Sequence, residues 1–152
     1  MRRNKLFLVL PLIFSGCDLF QPPPVRREVI STPEAPAAIG PYSQAIKVGN
    51  TLYCSGQLGL NPATGDLITS DIQEETRQVL KNLGAVLRAG GADYKDVVSV
   101  TIYLANMDDY KIVNEVYATF FNADKPARAT VQVARLPRDA RVEISCMAVK
   151  ID

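Results

Sequence analysis

Val97-Val98-Ser99-Val100-Thr101-Ile102-Tyr103-Leu104 decides the architecture. Its alternation sets Val98, Val100, Ile102 and Leu104 on one face and Ser99, Thr101 and Tyr103 on the other, the period of a strand covered on one side only. Upstream, Ser70 and Gln73 form a capping-box pattern. Ile72, Val79, Leu80, Leu83 and Leu87 then recur at helical spacing, and Gly90-Gly91 ends the run. Downstream, Asp108 or Asp109 can cap a second helix, with Val113, Val116, Tyr117 and Phe120 as its buried stripe. Residues 42–48 and 51–57 flank Gly49-Asn50, a two-residue hairpin turn. Residues 129–136 and 141–150 read as the last strands, joined at Pro137-Arg138-Asp139. These elements predict an α+β domain, a mixed sheet with two helices on one face.

Applied to the last strands, the same period assigns Val131, Val133, Val142, Ile144, Cys146 and Ala148 to the helix-covered face. Arg128, Thr130, Gln132, Glu143, Ser145 and Met147 then belong to the other face. A face of Tyr, Met, Thr, Gln and Ala is too apolar for plain solvation and too polar for a closed core. It is expected to meet another subunit, with pockets between copies. On it the sequence places a permanent cation, in Pro126-Ala127-Arg128-Ala129-Thr130, and a carboxylate, in Val142-Glu143-Ile144. Arg offers a planar fork matched to a carboxylate, and Glu is the commonest general base open to a chain without histidine. An internal Arg–Glu pair, or two side chains snorkelling on a solvated face, accounts for the same residues, so the residues alone leave both readings open.

With 152 residues, 47% hydrophobic and 22% charged, the chain is one globular domain with an ordinary core. The formal charge of +1 conceals an asymmetry. Arg2, Arg3 and Lys5 precede any acid, and removing them from the 17 basic residues leaves 14 against 16 acids, or −2. That balance carries no footprint for nucleic acid. The absence of histidine, with no cysteine pair at ligand spacing, excludes the common zinc sites and the Ser-His-Asp triad.

The N-terminal residues read as a targeting signal. Residues 1–5 are a basic n-region, and residues 6–14 an apolar stretch shorter than the roughly 20 residues a spanning helix needs. Ser15-Gly16-Cys17 resembles the cleavage site of bacterial lipoproteins, with Cys17 as the lipidated residue and Phe14 departing from the leucine usual there. The expected organisation is a signal over 1–17, a linker over 18–28 stiffened by Pro22-Pro23-Pro24, and a domain over 29–152. Such a chain would be lipid-anchored in the cell envelope. A start near Val25 would leave it cytoplasmic instead.

Ile39-Gly40-Pro41-Tyr42-Ser43-Gln44-Ala45, Tyr53-Cys54-Ser55-Gly56-Gln57, Asn114-Glu115-Val116-Tyr117, Pro126-Ala127-Arg128-Ala129 and Leu136-Pro137 to Val142-Glu143-Ile144 resemble the RidA family, the reactive intermediate deaminases. The resemblance implies a chorismate-mutase-like fold, a homotrimer with sites between subunits, and neither cofactor nor metal. It also implies hydrolysis of 2-imino acids and their enamine tautomers, among them 2-aminoacrylate, 2-iminopropanoate and 2-iminobutanoate, to 2-keto acids and ammonia. Carried onto this sequence, Arg128 holds the substrate carboxylate, Glu143 activates water, Tyr42 with Ser55 and Gly56 completes the pocket, and Asn114 supports it. Lys125 and Ser145-Cys146 depart from the family pattern. The family fold would set Cys54 beside Cys146 on antiparallel strands, as a disulfide or as two buried thiols. The rival reading is a trimeric lipoprotein that binds ligands or unfolded chains without turnover.

Overall fold

The computed structural model describes residues 24–151. They form one six-stranded sheet with two α-helices on one face, the mixed α+β arrangement expected. The strands are β1 (Arg27–Ile30), β2 (Ala45–Val48), β3 (Thr51–Leu58), β4 (Val97–Leu104), β5 (Ala127–Gln132) and β6 (Val142–Val149), in the order β1-β2-β3-β6-β4-β5. The helices are α1 (Ile72–Ala89) and α2 (Tyr110–Phe120). β1 begins inside the stretch read as a linker. The expected signal and Cys17 lie outside the described residues, within which no helix is long and apolar enough to cross a membrane.

The β2–β3 hairpin turns at Gly49-Asn50 as expected, with Gly49 at φ 57°, a left-handed conformation that glycine adopts without a Cβ clash. α1 starts one residue later than Ser70 predicts. Asp71 is the cap, and its carboxylate accepts from the Glu74 N–H at 2.8 Å. Val79, Leu80, Leu83 and Leu87 are fully buried against the sheet, each contributing about 1.5–3 kcal/mol relative to exposure. Asp109 precedes α2 but makes no capping bond. Its buried carboxylate instead takes both ends of the Arg141 guanidinium fork, tying α2 to the start of β6.

Two expectations about facing are corrected. In β4 a register irregularity between Val97 and Ser99 shifts the alternation, so that Val97 is buried and Val98 is 42% exposed. The second correction concerns the facing of β5. β5 is the edge strand, parallel to β4, while β6 runs between β3 and β4. Its phase is set by Val100↔Arg128, Ile102↔Thr130 and Leu104↔Gln132. Arg128, Thr130 and Gln132 therefore lie on the helix side, and Val131, 41% exposed, is on the open face with Tyr103. Val133, beyond the strand, is only half-buried. Glu143, opposite Tyr103, is on the open face too. Arg128 and Glu143, expected on one face, occupy opposite faces of the sheet in a single chain.

Candidate active site

Between Cys54↔Cys146 and Gln57↔Ile144, β3 has two residues, Ser55 and Gly56, where β6 has only Ser145. The two bulge residues line a cavity of about 440 Å³. Tyr42, Ser55, Gly56, Leu58, Pro137 and Glu143 are among its lining residues. The Glu143 carboxylate lies directly over Gly56: a Cβ at that position would sit 1.9 Å from Oε1 and 2.7 Å from Cδ. Glycine is needed at residue 56 for this close approach, whereas its backbone has no left-handed φ. Burial pushes the Glu143 carboxyl above the ordinary carboxylate range, and no side-chain hydrogen bond reaches it among the described residues. Glu143 is thus a half-buried carboxyl facing the cavity, with no hydrogen-bond or salt-bridge partner among the described residues.

The cavity walls are held by buried polar side chains that the sequence reading did not single out. Gln44, 3% exposed, takes the Thr32 N–H on its Oε1 and donates to the carbonyls of Thr32, Ala35 and Pro36, fixing the segment that carries Pro36. Asn82 of α1 donates to the carbonyls of Leu58 and Leu60 at 2.9 and 2.8 Å, holding the exit of β3. Glu75, also of α1, accepts from the Arg141 N–H at 2.8 Å and fixes the entry of β6 two residues before Glu143. Burial raises the Glu75 carboxyl, and these backbone bonds partly offset that. One signal was available in the sequence, because Glu75 and Asn82 fall in phase with the apolar stripe of α1, where a polar residue needs a buried partner.

The Ser55 hydroxyl is occupied, donating to the Ser43 carbonyl at 2.6 Å. Tyr42 is half exposed at the cavity mouth. Of the residues expected at the site, Tyr42, Ser55, Gly56 and Glu143 come together. Arg128 and Asn114 do not join them. Arg128 lies on the far side of the sheet edge, its guanidinium 4.7 Å from the Tyr117 ring centroid and 3.4 Å from the Tyr110 hydroxyl. Half-buried Asn114 sits on α2 between those two tyrosines. No group of residues able to hold a metal ion occurs among the described residues.

Residues 32–150 match the profile of the Endoribonuclease L-PSP family. The chain is 55% identical over 124 residues to Reactive Intermediate Deaminase A, chloroplastic, of Arabidopsis thaliana, covering 82% of this chain and 66% of that protein. It is 55% identical over 126 residues to the 2-iminobutanoate/2-iminopropanoate deaminase of Mus musculus, covering 83% and 93%. The chain belongs to the RidA family. The family likeness extends to the backbone. The crystal structure of the YjgF gene product of E. coli matches with a TM-score of 0.78 at 42% identity, covering 82% of this chain and 99% of that one. E. coli TdcF with bound serine matches with a TM-score of 0.79 at 39% identity over the same shares. The β3 bulge and the Glu143–Gly56 contact lie within residues 32–150, the span that matches the family profile.

Proposed function

We propose that this RidA-family chain hydrolyses 2-imino acids, and enamines that tautomerise to them, to 2-keto acids and ammonia. The observation that carries the reading is Glu143, a carboxylate with a raised proton affinity, unpaired and half-buried over Gly56 in an open cavity. The deaminase names of relatives 55% identical to this chain, and a relative with bound serine, support it.

In the proposed reaction Glu143 removes a proton from water as the water oxygen bonds to the imine carbon, and the C=N π pair moves to nitrogen. That proton passes to nitrogen to give the neutral carbinolamine; Glu143 then carries the hydroxyl proton to nitrogen, and as the C=O bond forms the C–N bond breaks and ammonia leaves. A carboxyl above its ordinary range suits both accepting and returning the proton. Arg128 holds the substrate carboxylate through two parallel charge-assisted bonds, which presents one face of the imine to water. Tyr42 closes the cavity mouth, and the backbone of Ser55 and Gly56, unpaired with β6, borders the reacting atoms.

Because Arg128 and Glu143 occupy opposite faces of one chain, the reading places the complete site between copies in a homotrimer. Arg128 of one copy reaches the Glu143 cavity of the next. Tyr53, Met147 and Val131, all exposed on the open face, support burial of that face against a second copy. Upstream, we assign residues 1–17 to export and lipidation at Cys17, supported by the ordered n-region, apolar stretch and Ser15-Gly16-Cys17, which puts the enzyme in the cell envelope.

The test is ammonia release from 2-iminobutanoate generated in situ. The purified chain accelerates it, Arg128→Ala nearly abolishes it, and Arg128→Lys recovers little because it loses the fork. Wild-type turnover by Arg128→Ala would refute the carboxylate role. An inactive wild-type chain that still binds 2-keto acids would favour the non-catalytic binding reading.

A further inference from the structure

The role proposed for Arg128 needs its fork to point outward from an edge strand in one direction, yet Arg128 is an exposed, long side chain with no carboxylate partner among the described residues. What constrains it comes from α2. Tyr117 is 5% exposed and stacks on Phe121 with ring centroids 4.3 Å apart and planes 19° apart. Phe121 is itself held edge-on by Tyr94 at 5.2 Å. One face of the Tyr117 ring is thereby taken, and the guanidinium lies 4.7 Å from its centroid. The Tyr110 hydroxyl, two turns earlier on α2, accepts from Nη2 of the same guanidinium at 3.4 Å.

A further observation sets Tyr117 apart from ordinary core aromatics. Its hydroxyl is buried and makes no hydrogen bond of good geometry among the described residues, although the Arg128 guanidinium is near enough to favour the phenolate. Burial pushes the phenol up to about 12, with Arg128 acting in the opposite direction. The contact that the geometry gives Arg128 on Tyr117 is with the ring. An immobilised π face attracts a cation and fixes its plane, and a guanidinium lying on it keeps its in-plane N–H donors free for a carboxylate.

We infer that Tyr117 is a positioning residue for Arg128: its ring, clamped by Phe121, is the platform that aims the arginine fork, and the Tyr110 hydroxyl fixes one end of it. The inference rests on the deaminase reading and assigns a residue that acts through Arg128 without touching substrate. It locates specificity for the carboxylate in α2 as well as β5, because the platform restricts the fork to one plane and favours planar, bidentate anions over a bare amine or an uncharged imine.

The experiment measures steady-state imine hydrolysis and 2-oxobutanoate binding by calorimetry for the purified chain and three variants, with Tm recorded for each. Tyr117→Leu removes the π face at similar side-chain length. It raises KM and weakens 2-oxobutanoate binding about tenfold, with kcat within about threefold. Tyr117→Phe keeps the face and stays within about twofold of wild type in both. Tyr110→Phe gives a smaller rise in KM, about two- to threefold. In an Arg128→Ala background, Tyr117→Leu produces no further loss of 2-oxobutanoate binding. A merely structural role instead lowers Tm and the active fraction equally in both backgrounds and leaves KM unmoved, and that outcome overturns the inference. So does a Tyr117→Phe variant as impaired as Tyr117→Leu, which still decides the matter should Tyr117→Leu fail to fold. If the wild-type chain neither releases ammonia nor binds 2-oxobutanoate, the deaminase reading fails and the positioning role falls with it. A wild-type chain that does both, with Tyr117→Leu unchanged, defeats the positioning role alone.

Discussion

Gly56→Ala isolates the Glu143 contact from every other feature of the pocket. The added methyl would sit 1.9 Å from Glu143 Oε1, 2.7 Å from Cδ and 2.9 Å from Cγ, where ordinary contact begins at 3.4 Å. Oε1 must therefore retreat by the difference between 3.4 and 1.9 Å, or 1.5 Å. The obstacle is the end of a flexible side chain and Gly56 has no left-handed φ, so Glu143 swings aside and the strand keeps its course. A misplacement of about 1 Å in a catalytic group costs on the order of 100-fold in rate, so kcat should fall at least that far. KM should change little, because Arg128 is untouched. The assay is initial-rate ammonia release across a range of 2-iminobutanoate concentrations, with circular dichroism and Tm to verify the fold. A Gly56→Ala enzyme with wild-type kcat would show that the position of Glu143 over Gly56 has no part in the chemistry.

Other outcomes follow from the same geometry. Glu143→Gln should lower kcat about 100-fold or more. Because burial raises the folded-state carboxyl, the stability this group contributes is fully present below its unfolded value and is lost as pH rises through the folded one. Glu143→Gln should therefore unfold at or above the wild-type temperature near pH 7, with the gain shrinking toward pH 4, and a clear loss of Tm at neutral pH would contradict the assignment. The wild-type rate should fall on the acid side at a pH above the ordinary carboxylate value of about 4.3, with that limb absent in Glu143→Gln. Cys54 and Cys146 are paired across β3 and β6, both buried and unbonded, and the Cys54 thiol together with burial pushes Cys146 up, which slows oxidation. Both should resist alkylation in the native chain and both should be labelled after denaturation without reductant; an unlabelled pair would establish a disulfide. Fatty-acid labelling in cells should mark the wild-type chain and miss Cys17→Ser, and an unlabelled protein beginning near Val25 would favour the cytoplasmic form.

The layered α+β arrangement was legible because the patterns that encode it are local. The α1 stripe, the Gly49-Asn50 turn and the β6 alternation each specify an element without reference to the others. β5 was misread for a physical reason. Alternation gives the parity of a strand but not its sign, and taking Val131 as inward assumes that the apolar set faces the helices. On an edge strand the polar set can face them when a helix supplies partners, as Tyr110 and Tyr117 of α2 do for Arg128. The slip at Val97 in β4 depends on pairing with β6, which no local pattern records. Among the cavity-lining residues, Glu143 stands out in the sequence as a carboxylate within an apolar strand and Gly56 and Tyr42 through motif resemblance, whereas Gln44, Glu75 and Asn82 hold backbone groups distant in sequence and emerge only when those segments meet.

The central claim is that Arg128 of one copy serves the Glu143 cavity of another, and complementation tests it most directly. Arg128→Ala and Glu143→Gln chains, each expected to be inactive alone, are denatured together and refolded as mixed oligomers. Under random assembly about a quarter of the sites combine a wild-type Arg128 with a wild-type Glu143, so ammonia release should return to about a quarter of the wild-type rate. If each site draws both residues from one chain, every site in the mixture carries a lesion, and a mixture as inactive as its parents would contradict the account.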